Sequence, residues 1–519
     1  MYEVVSNFQQ TGYTICMSKY REYNPYQLFL LPPSLQEWLP VAHLVYFLLD
    51  VVNECFDLSE FGVNRRKRQG QPAYHPQMMV ALLLYAYMKG RPSSRKIEEA
   101  THTDVAFRIL AANQHPDHDT IATFRKTHLK ALANLFSQVL KICDMAGLVS
   151  LESVAIDGTK IEANASKHKA MSYKRMCETE EKLEKEIVEL LRKAVELDRE
   201  EDEKFGKGKN EFDLPEELKR REDRLKKIGE AKQALEEEAR EKARERAAEA
   251  RATIAARRKM EEETGHKTGW QDPHIPDPDM AKPDPKAQKN FTDPESRIMK
   301  DGATKEFIQA YNAQAVVDRE SQIIVAADIT DEGNDCKQLV PMLKLAEANT
   351  GSKPAVALAD SGYFSAENVA DPSLEGIELY VAVGRDKHGE AVPVTEGEVA
   401  ENATAQNATA EGKPPTGKAA KTKAPTGKAA KTKAAKETMQ RKLRTEEGKA
   451  IYAERKWIVE PVFGLIKAVM WFRRFSFRGK ENVRQEWSIV SLAHNMLKLY
   501  RSGICVKGLA QGVVALKEA

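Results

Sequence analysis

Three acidic residues that lie far apart in the sequence have the surroundings of residues that bind a divalent cation. Asp157 follows the apolar run Val-Ala-Ile and precedes Gly158, and Asp360 follows the apolar run Ala-Val-Ala-Leu-Ala. Both runs have strand character, so both aspartates are expected near the C-terminal ends of strands, where open mixed sheets tend to build sites. Glu460 precedes Pro461, and proline favours the first turn of a helix, so Glu460 is predicted at a helix start.

Carboxylates in this arrangement indicate chemistry on a phosphodiester. Three of them brought together would repel strongly, and a divalent cation relieves that repulsion while keeping them ionised. An all-oxygen site suits Mg²⁺ or Mn²⁺, and two such ions can hold the attacking and the leaving oxygen of a phosphodiester. The helix predicted to begin at Glu460 is very basic and carries the positive charge that would bind such a polyanion. Its cations are Lys467, Arg473, Arg474, Arg478, Lys480 and Arg484.

The residues alone leave the choice of acids open. Asp328 ends the run Ile-Ile-Val-Ala-Ala and is placed as well as Asp360 on this ground. The other competing acids are Glu162, Asp318, Asp331 and Asp335. A strand-end aspartate followed by glycine is more often a turn residue, and an arginine-rich helix is more often a solvated face than a nucleic-acid groove.

The elements that would position these acids are predicted from hydrophobic periodicity. Strand patterns cover 153–164, 307–318, 322–330, 355–364 and 379–385, with helical patterns after the third and fourth, which predicts an α/β fold with a mixed sheet and flanking helices. Residues 1–140 are predicted to form a helical N-terminal domain. Its basic run, Arg65, Arg66, Lys67 and Arg68, suggests DNA binding, although a helical bundle with a solvated charged loop fits these features equally well.

Two long segments interrupt the sheet pattern. The first, 165–290, is predicted to hold a charged antiparallel helical hairpin with a thin apolar seam, broken near 205–217, and then a Pro/Asp-rich linker. The second, 386–440, contains the tandem repeat PTGKAAKTKA at 415–424 and 425–434 and is predicted to be a disordered basic tether. This leaves 150–164 and 300–500 as the sheet domain and 501–519 as a C-terminal tail.

Charge is distributed unevenly along the chain. The net charge is only +2, yet residues 413–519 contain 24 Lys and Arg against 8 Asp and Glu, which points to a polyanionic partner. The six cysteines form no C-x-x-C pair, so a zinc site or a disulfide framework is not expected and a reducing cytosol fits. No apolar stretch reaches the length of a membrane span, and we expect a cytoplasmic protein.

Several motifs, taken in order along the chain, resemble bacterial insertion-sequence transposases of the DDE type. They are AIDGTKIEANAS (155–166), YNAQAVVD (311–318), ADITDEGND (327–335), ADSGYFS (359–365) and the long block 452–499. The stretch 63–126 resembles the InsH-like N-terminal domain of the same transposases. The resemblance implies an RNase H-like catalytic domain, DNA transposase activity and double-stranded DNA as the partner.

The resemblance also assigns the site residues that the sequence pattern left open. The acid triad, which would hold the metal ions, maps to Asp157, Asp360 and Glu460. The Y-R-E-K signature, which would contact DNA phosphates, maps to Tyr452, Arg455, Glu460 and Lys467. Lys456 competes with Arg455 for the place of the cation, because the strictest spacing of the signature points to Lys456.

The implied function is the binding of terminal inverted repeats, metal-dependent cleavage and transfer of the freed 3′ ends to target DNA. Two Mg²⁺ or Mn²⁺ ions, a homodimer on DNA and association with the nucleoid are expected with it. One alternative is a nuclease of the same fold that cuts without joining, and another is a transposase-derived DNA-binding protein that has lost catalysis. A coiled-coil structural protein would explain only 178–258.

Overall fold

The structure is a computed structural model that describes residues 34–62, 73–205, 216–265, 271–302, 304–384 and 428–506. The predicted basic run 65–68 lies outside the described residues, as does the tandem repeat up to residue 427. The end of the predicted C-terminal tail, 507–519, also lies outside them.

Helices form the described N-terminal part, as predicted. They are α1 (Leu44–Asp50), α2 (Pro76–Met88), α3 (Ser94–Thr103), α4 (Val105–Leu110), α5 (His118–Thr127) and α6 (Leu129–Met145). Helix α2 is apolar on all sides and is almost entirely buried, as its composition requires. The N-terminal helices share one apolar core with the sheet, and the boundary predicted at residue 140 falls inside α6.

A mixed sheet forms the centre of the molecule and confirms the predicted fold class. The strands are β1 (Ser153–Glu162), β2 (Ala170–Ser172), β3 (Gln288–Asn290), β4 (Arg297–Lys300), β5 (Phe307–Asp318), β6 (Ile324–Thr330), β7 (Val356–Ala359) and β8 (Glu378–Val381). Strand β1 pairs with β5 in antiparallel and with β7 in parallel orientation, and β8 follows β7 in parallel. Strands β4 and β6 pair with β5 in antiparallel orientation, and β2 and β3 form a separate pair.

The charged insertion is an antiparallel helical hairpin, as predicted. Its helices are α7 (Tyr173–Phe205) and α8 (Glu216–Thr264). Ion pairs between them join Glu180 to Lys232 at 2.6 Å and Glu186 to Arg221 at 3.0 Å, an order that only antiparallel helices allow. The apolar seam is thin and consists of Met176, Leu183, Ile228 and Leu235.

Helices dominate the remainder of the chain. They are α9 (Leu339–Thr350), α10 (Ala366–Val369), α11 (Lys428–Arg444), α12 (Glu446–Gly464) and α13 (Lys480–Arg501), with a π-helical turn (Leu465–Val469) directly after α12. Helix α12 packs against β1, β5 and β7, whereas α13 packs between β6 and the N-terminal helices α2 and α6. The sheet is therefore covered by helices from both ends of the chain.

Helix α11 corrects the prediction of a disordered tether over 386–440, since residues 428–440 are helical. Alanine, lysine, glutamine and arginine in this segment all favour a helix. Tertiary contacts anchor its end: Met439 is buried, and the Nζ of Lys442 donates to the carbonyl of Leu379 on β8 at 3.0 Å. The lysine spacing that suggested a solvated tether therefore belongs partly to a docked helix.

The start of α12 corrects the placement of Glu460 at the beginning of a helix. Thr445 caps the helix 15 residues earlier, its hydroxyl accepting from the N–H of Gly448, and Pro461 lies inside the last turns. An internal proline leaves the carbonyl four residues before it without its helical donor. That carbonyl belongs to Trp457, and the side-chain amide of Gln322 donates to it at 2.8 Å. Pro461 is thus accommodated by a contact from the turn between β5 and β6.

Candidate active site

The two predicted aspartates lie side by side at the centre of the sheet. The parallel register pairs Ile156 of β1 with Ala359, the last residue of β7, so Asp157 and Asp360 follow at the same level. Strand β1 continues to Glu162, so Asp157 lies within a strand and not at its end as predicted. At this level β7 ends while β1 continues, and the paired register places the two carboxylates next to each other.

The surroundings of Asp157 make its negative charge costly. Burial raises the pKa of Asp157 to about 6, although the nearby guanidinium of Arg455 acts in the opposite direction. The negative charges of Asp360 and Asp335 raise it further. One carboxylate oxygen accepts from the N–H of Gly158 at 2.8 Å, and the other lies 3.1 Å from Nη1 of Arg455. A carboxylate in this position is stabilised by any additional cation placed beside it.

Asp360 is held by the turn that it begins. Its Oδ1 accepts from the N–H of Gly362 at 2.8 Å, and a short 3₁₀ turn (Ser361–Tyr363) follows. This side-chain cap fixes the carboxylate relative to the end of β7. Tyr363, the last residue of the turn, is fully buried, and burial raises its pKa well above the ordinary value.

Glu460 is not placed beside the aspartate pair. Its side chain is exposed on α12, and the acidic charges that raise the pKa of Asp157 are those of Asp360 and Asp335. Within the same described part of the chain, no group of three or more His, Cys, Asp or Glu side chains is arranged to hold a metal ion. The structure thus brings together the first two predicted acids and leaves the third on the neighbouring helix.

The acids that competed in the sequence have other partners. Asp328 pairs with Arg484 at 2.5 Å, and Asp331 pairs with Lys480 at 2.8 Å. Asp318 is fully buried and accepts from the N–H of Leu151 at 3.0 Å. These acids thus contact α13 and the loop before β1.

Asp335 differs from these competitors because it lies close to the aspartate pair. Its Oδ1 accepts from the side-chain amides of Asn312 at 2.5 Å and Gln314 at 2.7 Å, and Nζ of Lys160 lies 3.7 Å away. Sequence reasoning gave no role to Lys160 or to Tyr363. The available signal was their position inside the motifs that also contain the two aspartates.

The predicted signature residues on α12 divide between the site and the surface. Arg455 is largely buried and contacts Asp157, and Tyr452 is half-buried near Arg455, with a pKa that burial raises. Lys456 is exposed. The structure therefore brings Arg455, and not Lys456, to the aspartate.

Lys467 extends the site along β1. It lies in the π-helical turn, and its Nζ donates to the carbonyl of Lys160 at 3.1 Å. Burial lowers the pKa of Lys467, with the cations Arg473 and Lys160 adding to the effect.

Three of the predicted arginines are not on a helix, which corrects the idea of one continuous basic helix after Glu460. Arg473, Arg474 and Arg478 lie on the irregular segment 470–479, where their side chains are exposed. The segment leaves the helical path at Trp471, which adopts a left-handed φ of +51°, and then forms a β-bridge between Arg474 and Glu162. The segment therefore lies beside the end of β1, and Nε of Arg478 donates to the carbonyl of Asn164 just after that strand at 2.9 Å.

Lys480 and Arg484 are occupied by the ion pairs with Asp331 and Asp328. A cation with a partly buried carboxylate partner contributes less to a phosphate contact than an exposed one. The exposed arginines are therefore those of the 470–479 segment, which reaches β1 at the level of Glu162, at the far end of the strand from Ser153. Within the described residues, no helix has the length and apolar character needed to cross a membrane.

Two parts of the chain match known protein families. Residues 280–496 match the Transposase DDE domain, and residues 33–127 match the Transposase domain (DUF772). Searches of curated proteins and of solved structures returned no match. The first match includes Asp360, Glu460 and the basic segment, whereas Asp157 lies between the two matches, ahead of the helical hairpin that separates β1 from the other strands.

The matched families agree with the observed architecture. The Transposase DDE domain is RNase H-like, which fits the mixed sheet around β1, and the second match covers the N-terminal helices. Members of these families act on DNA, and DDE transposases generally use divalent metal ions. The two matches together span more than half of the chain. The chain therefore belongs to the insertion-sequence transposases of the DDE type.

Proposed function

We propose that the protein binds the terminal inverted repeats of an insertion sequence, cleaves the DNA there and joins the freed 3′ ends to target DNA. One observation carries the proposal: Asp157 and Asp360 lie side by side in the sheet, with Arg455 in contact with Asp157. A pair of carboxylates can hold divalent cations, and an arginine in contact with the pair can bind the phosphate of a polyanion.

The donor set fits a hard divalent cation. Asp157 and Asp360 offer oxygen ligands only, and burial makes the charge of Asp157 costly without a cation. We assign two Mg²⁺ or Mn²⁺ ions to these aspartates. Glu460 would be the third acid ligand, and it lies on α12, the helix that packs on β1 and β7. When bound, the ions would activate the attacking oxygen and stabilise the charge on the leaving oxygen.

The protein's own residues would bind and orient the DNA. Arg455 is close enough to Asp157 to pass from the carboxylate to a phosphate near the scissile bond. Tyr452 and Lys467 would contact neighbouring phosphates, and Arg473 and Arg474 would extend the contact along the continuation of β1. Water acts as the nucleophile in cleavage, and the freed 3′ hydroxyl acts as the nucleophile in joining.

The two ends of the element must be held in one complex, so we propose a homodimer on DNA. The N-terminal helices would help to recognise the terminal repeats, since this region matches a transposase domain. The nucleoid is the proposed place of action because the substrate is chromosomal DNA.

Cleavage and joining are tested with Asp157→Asn and a matched control. The variant should lose Mg²⁺-dependent cleavage of an inverted-repeat duplex and keep its affinity for that duplex, because the side chain keeps its size. Asp328→Asn removes a carboxylate from the ion pair with Arg484 and should retain cleavage. Cleavage by Asp157→Asn at the parent rate would show that the acid assignment is wrong.

A strand-transfer assay with precleaved ends separates the proposal from its alternatives. Joined products are expected with the parent protein. Cleavage without joined products would favour a nuclease, and end binding without cleavage would favour a DNA-binding protein that has lost catalysis.

A further inference from the structure

A buried chain of hydrogen bonds connects the turn after Asp360 to the loop after β6. The hydroxyl of Tyr363 donates to Oε1 of Gln314, and Nε2 of Gln314 donates to Oδ1 of Asp335 at 2.7 Å. Tyr363 and Gln314 are fully buried, so neither side chain can exchange this partner for bulk water. We call Tyr363, Gln314 and Asp335 the positioning network.

The chain reaches the site through the turn that carries Asp360. Tyr363 is three residues after Asp360, and its backbone N–H donates to the carbonyl of Asp360 at 3.2 Å. The N–H of Gly362, between them, donates to the carboxylate of Asp360. A Tyr363 ring that is fixed by Gln314 therefore fixes the turn, and the turn fixes the carboxylate.

Two glycines make room for this network. A Cβ on Gly158 would overlap the amide nitrogen of Gln314 and would stand 2.9 Å from Oδ1 of Asp335. A Cβ on Gly362 would stand 3.0 Å from Oδ1 of Asp360 and 3.5 Å from Oδ2 of Asp335. The glycine after Asp157 thus serves the packing of the network and not a turn at a strand end.

Asp335 is the charged anchor of the chain. Its Oδ1 also accepts from the amide of Asn312 at 2.5 Å, and Lys160 stands 3.7 Å away. Hydrogen bonds to a charged acceptor are stronger than those between neutral groups. Both Asn312 and Gln314 lie on β5, opposite Lys160 and Gly158 of β1, so the anchor ties the Asp360 turn to the strand pair that carries Asp157.

We infer that Tyr363, Gln314 and Asp335 are positioning residues that hold Asp360 in place beside Asp157 for cation binding. The inference rests on the proposed function, since it concerns the same pair of aspartates. Residues that orient metal-binding carboxylates typically change metal affinity when they are replaced. The network would therefore control how tightly the divalent cation is bound, without touching DNA.

Manganese binding by the full chain tests the inference without any measurement of activity. Free Mn²⁺ is followed by electron paramagnetic resonance during a titration of the DNA-free protein. Tyr363→Phe removes one oxygen atom and should weaken Mn²⁺ binding about tenfold. Asp335→Asn should weaken Mn²⁺ binding to a similar extent. The double variant should bind Mn²⁺ as tightly as the single variant with the lower affinity, because either change breaks the same chain of hydrogen bonds.

Tyr380→Phe is the matched control. Tyr380 is a buried tyrosine on the neighbouring strand β8, and its hydroxyl donates to Glu378 at 3.0 Å, outside the network. This variant should bind Mn²⁺ as the parent does. Thermal unfolding of each variant checks the fold, and Tyr363→Phe decides the question if Asp335→Asn does not fold.

Parent-like Mn²⁺ affinity in Tyr363→Phe would overturn the inference. Asp157→Asn and Asp360→Asn distinguish this result from a failure of the proposed function. Strong loss of Mn²⁺ binding in these two variants, together with no loss in Tyr363→Phe, would refute the network alone. Parent-like binding in the two aspartate variants would refute the metal site, and the inference would fall with it.

Discussion

Replacing Asp157 with Asn should make the metal-free protein more stable near neutral pH. Burial raises the pKa of Asp157 from 3.8 to about 6, even with Arg455 beside it. A shift of one unit in a pKa corresponds to about 1.4 kcal/mol, so ionising Asp157 in the folded protein costs about 3 kcal/mol more than in the unfolded chain. Asparagine has nearly the same shape and carries no charge, and its amide oxygen can still accept from Arg455.

The sign of the pH dependence follows from the two pKa values. Below pH 3.8 the carboxyl is protonated in both states, and its ionisation has no effect on stability. Between pH 3.8 and about 6 the unfolded chain loses the proton while the folded protein keeps it, so the parent loses stability as the pH rises. Above pH 6 both states are ionised. The advantage of Asp157→Asn should thus grow from near zero below pH 4 to about 3 kcal/mol above pH 6.

Urea unfolding of both proteins at several pH values, in the presence of a chelator, measures this difference. Asp331→Asn is the opposite control: burial favours its neutral form, but Lys480 and Arg297 together lower its pKa, so the substitution should destabilise the protein. Added Mg²⁺ should stabilise the parent and not Asp157→Asn, and the difference in their free energies of unfolding should then become smaller. Equal or lower stability of Asp157→Asn at pH 7.5 in the chelator would refute the reasoning.

Three further predictions concern residues around the pair. Arg455→Ala removes the cation that lowers the pKa of Asp157, so half-maximal Mn²⁺ binding should need a pH about one unit higher. Lys456→Ala is the control and should leave the pH dependence of Mn²⁺ binding unchanged. Mn²⁺ titrations at several pH values measure both variants, and a larger effect of Lys456→Ala than of Arg455→Ala would contradict the assignment. Lys480→Ala breaks the ion pair with Asp331 and should lower the melting temperature with little change in DNA binding. Arg474 is exposed, so Arg474→Ala should reduce the salt dependence of DNA binding, measured by fluorescence anisotropy, by about one phosphate contact. Gly158→Ala places a methyl group against the Gln314 amide and should lower both the melting temperature and the Mn²⁺ affinity, and parent-like calorimetry would contradict that packing.

Much of the fold could be predicted from the sequence because its signals are local. The alternation of apolar residues in 153–162 and 307–318 indicates strands whatever they pair with, and the charged stretch 173–264 has the composition of a helical hairpin. Errors occurred where a local signal had two meanings. Pro461 favours a helix start, but it is accommodated inside a helix because a distant glutamine, Gln322, satisfies the carbonyl that it leaves free.

The candidate site could be predicted only in part. Local patterns placed Asp360 and Asp328 equally well, and only the family motifs separated the two. The structure gives the physical reason for that difference. Asp328 pairs with Arg484, which lies far away in the sequence, whereas Asp360 follows β7, the strand that pairs with β1 in parallel orientation beside Asp157.

The sequence by itself determined five strands of the central sheet, the charged helical hairpin and the clusters of charge, since these depend on side chains close together in the chain. Only the tertiary structure decided which charges meet. It paired Lys480 with Asp331, brought Arg455 rather than Lys456 to Asp157, and added Asp335 to the surroundings of the pair. The energy of a charge depends on its burial and on partners hundreds of residues away, and strand register and helix packing set both of these.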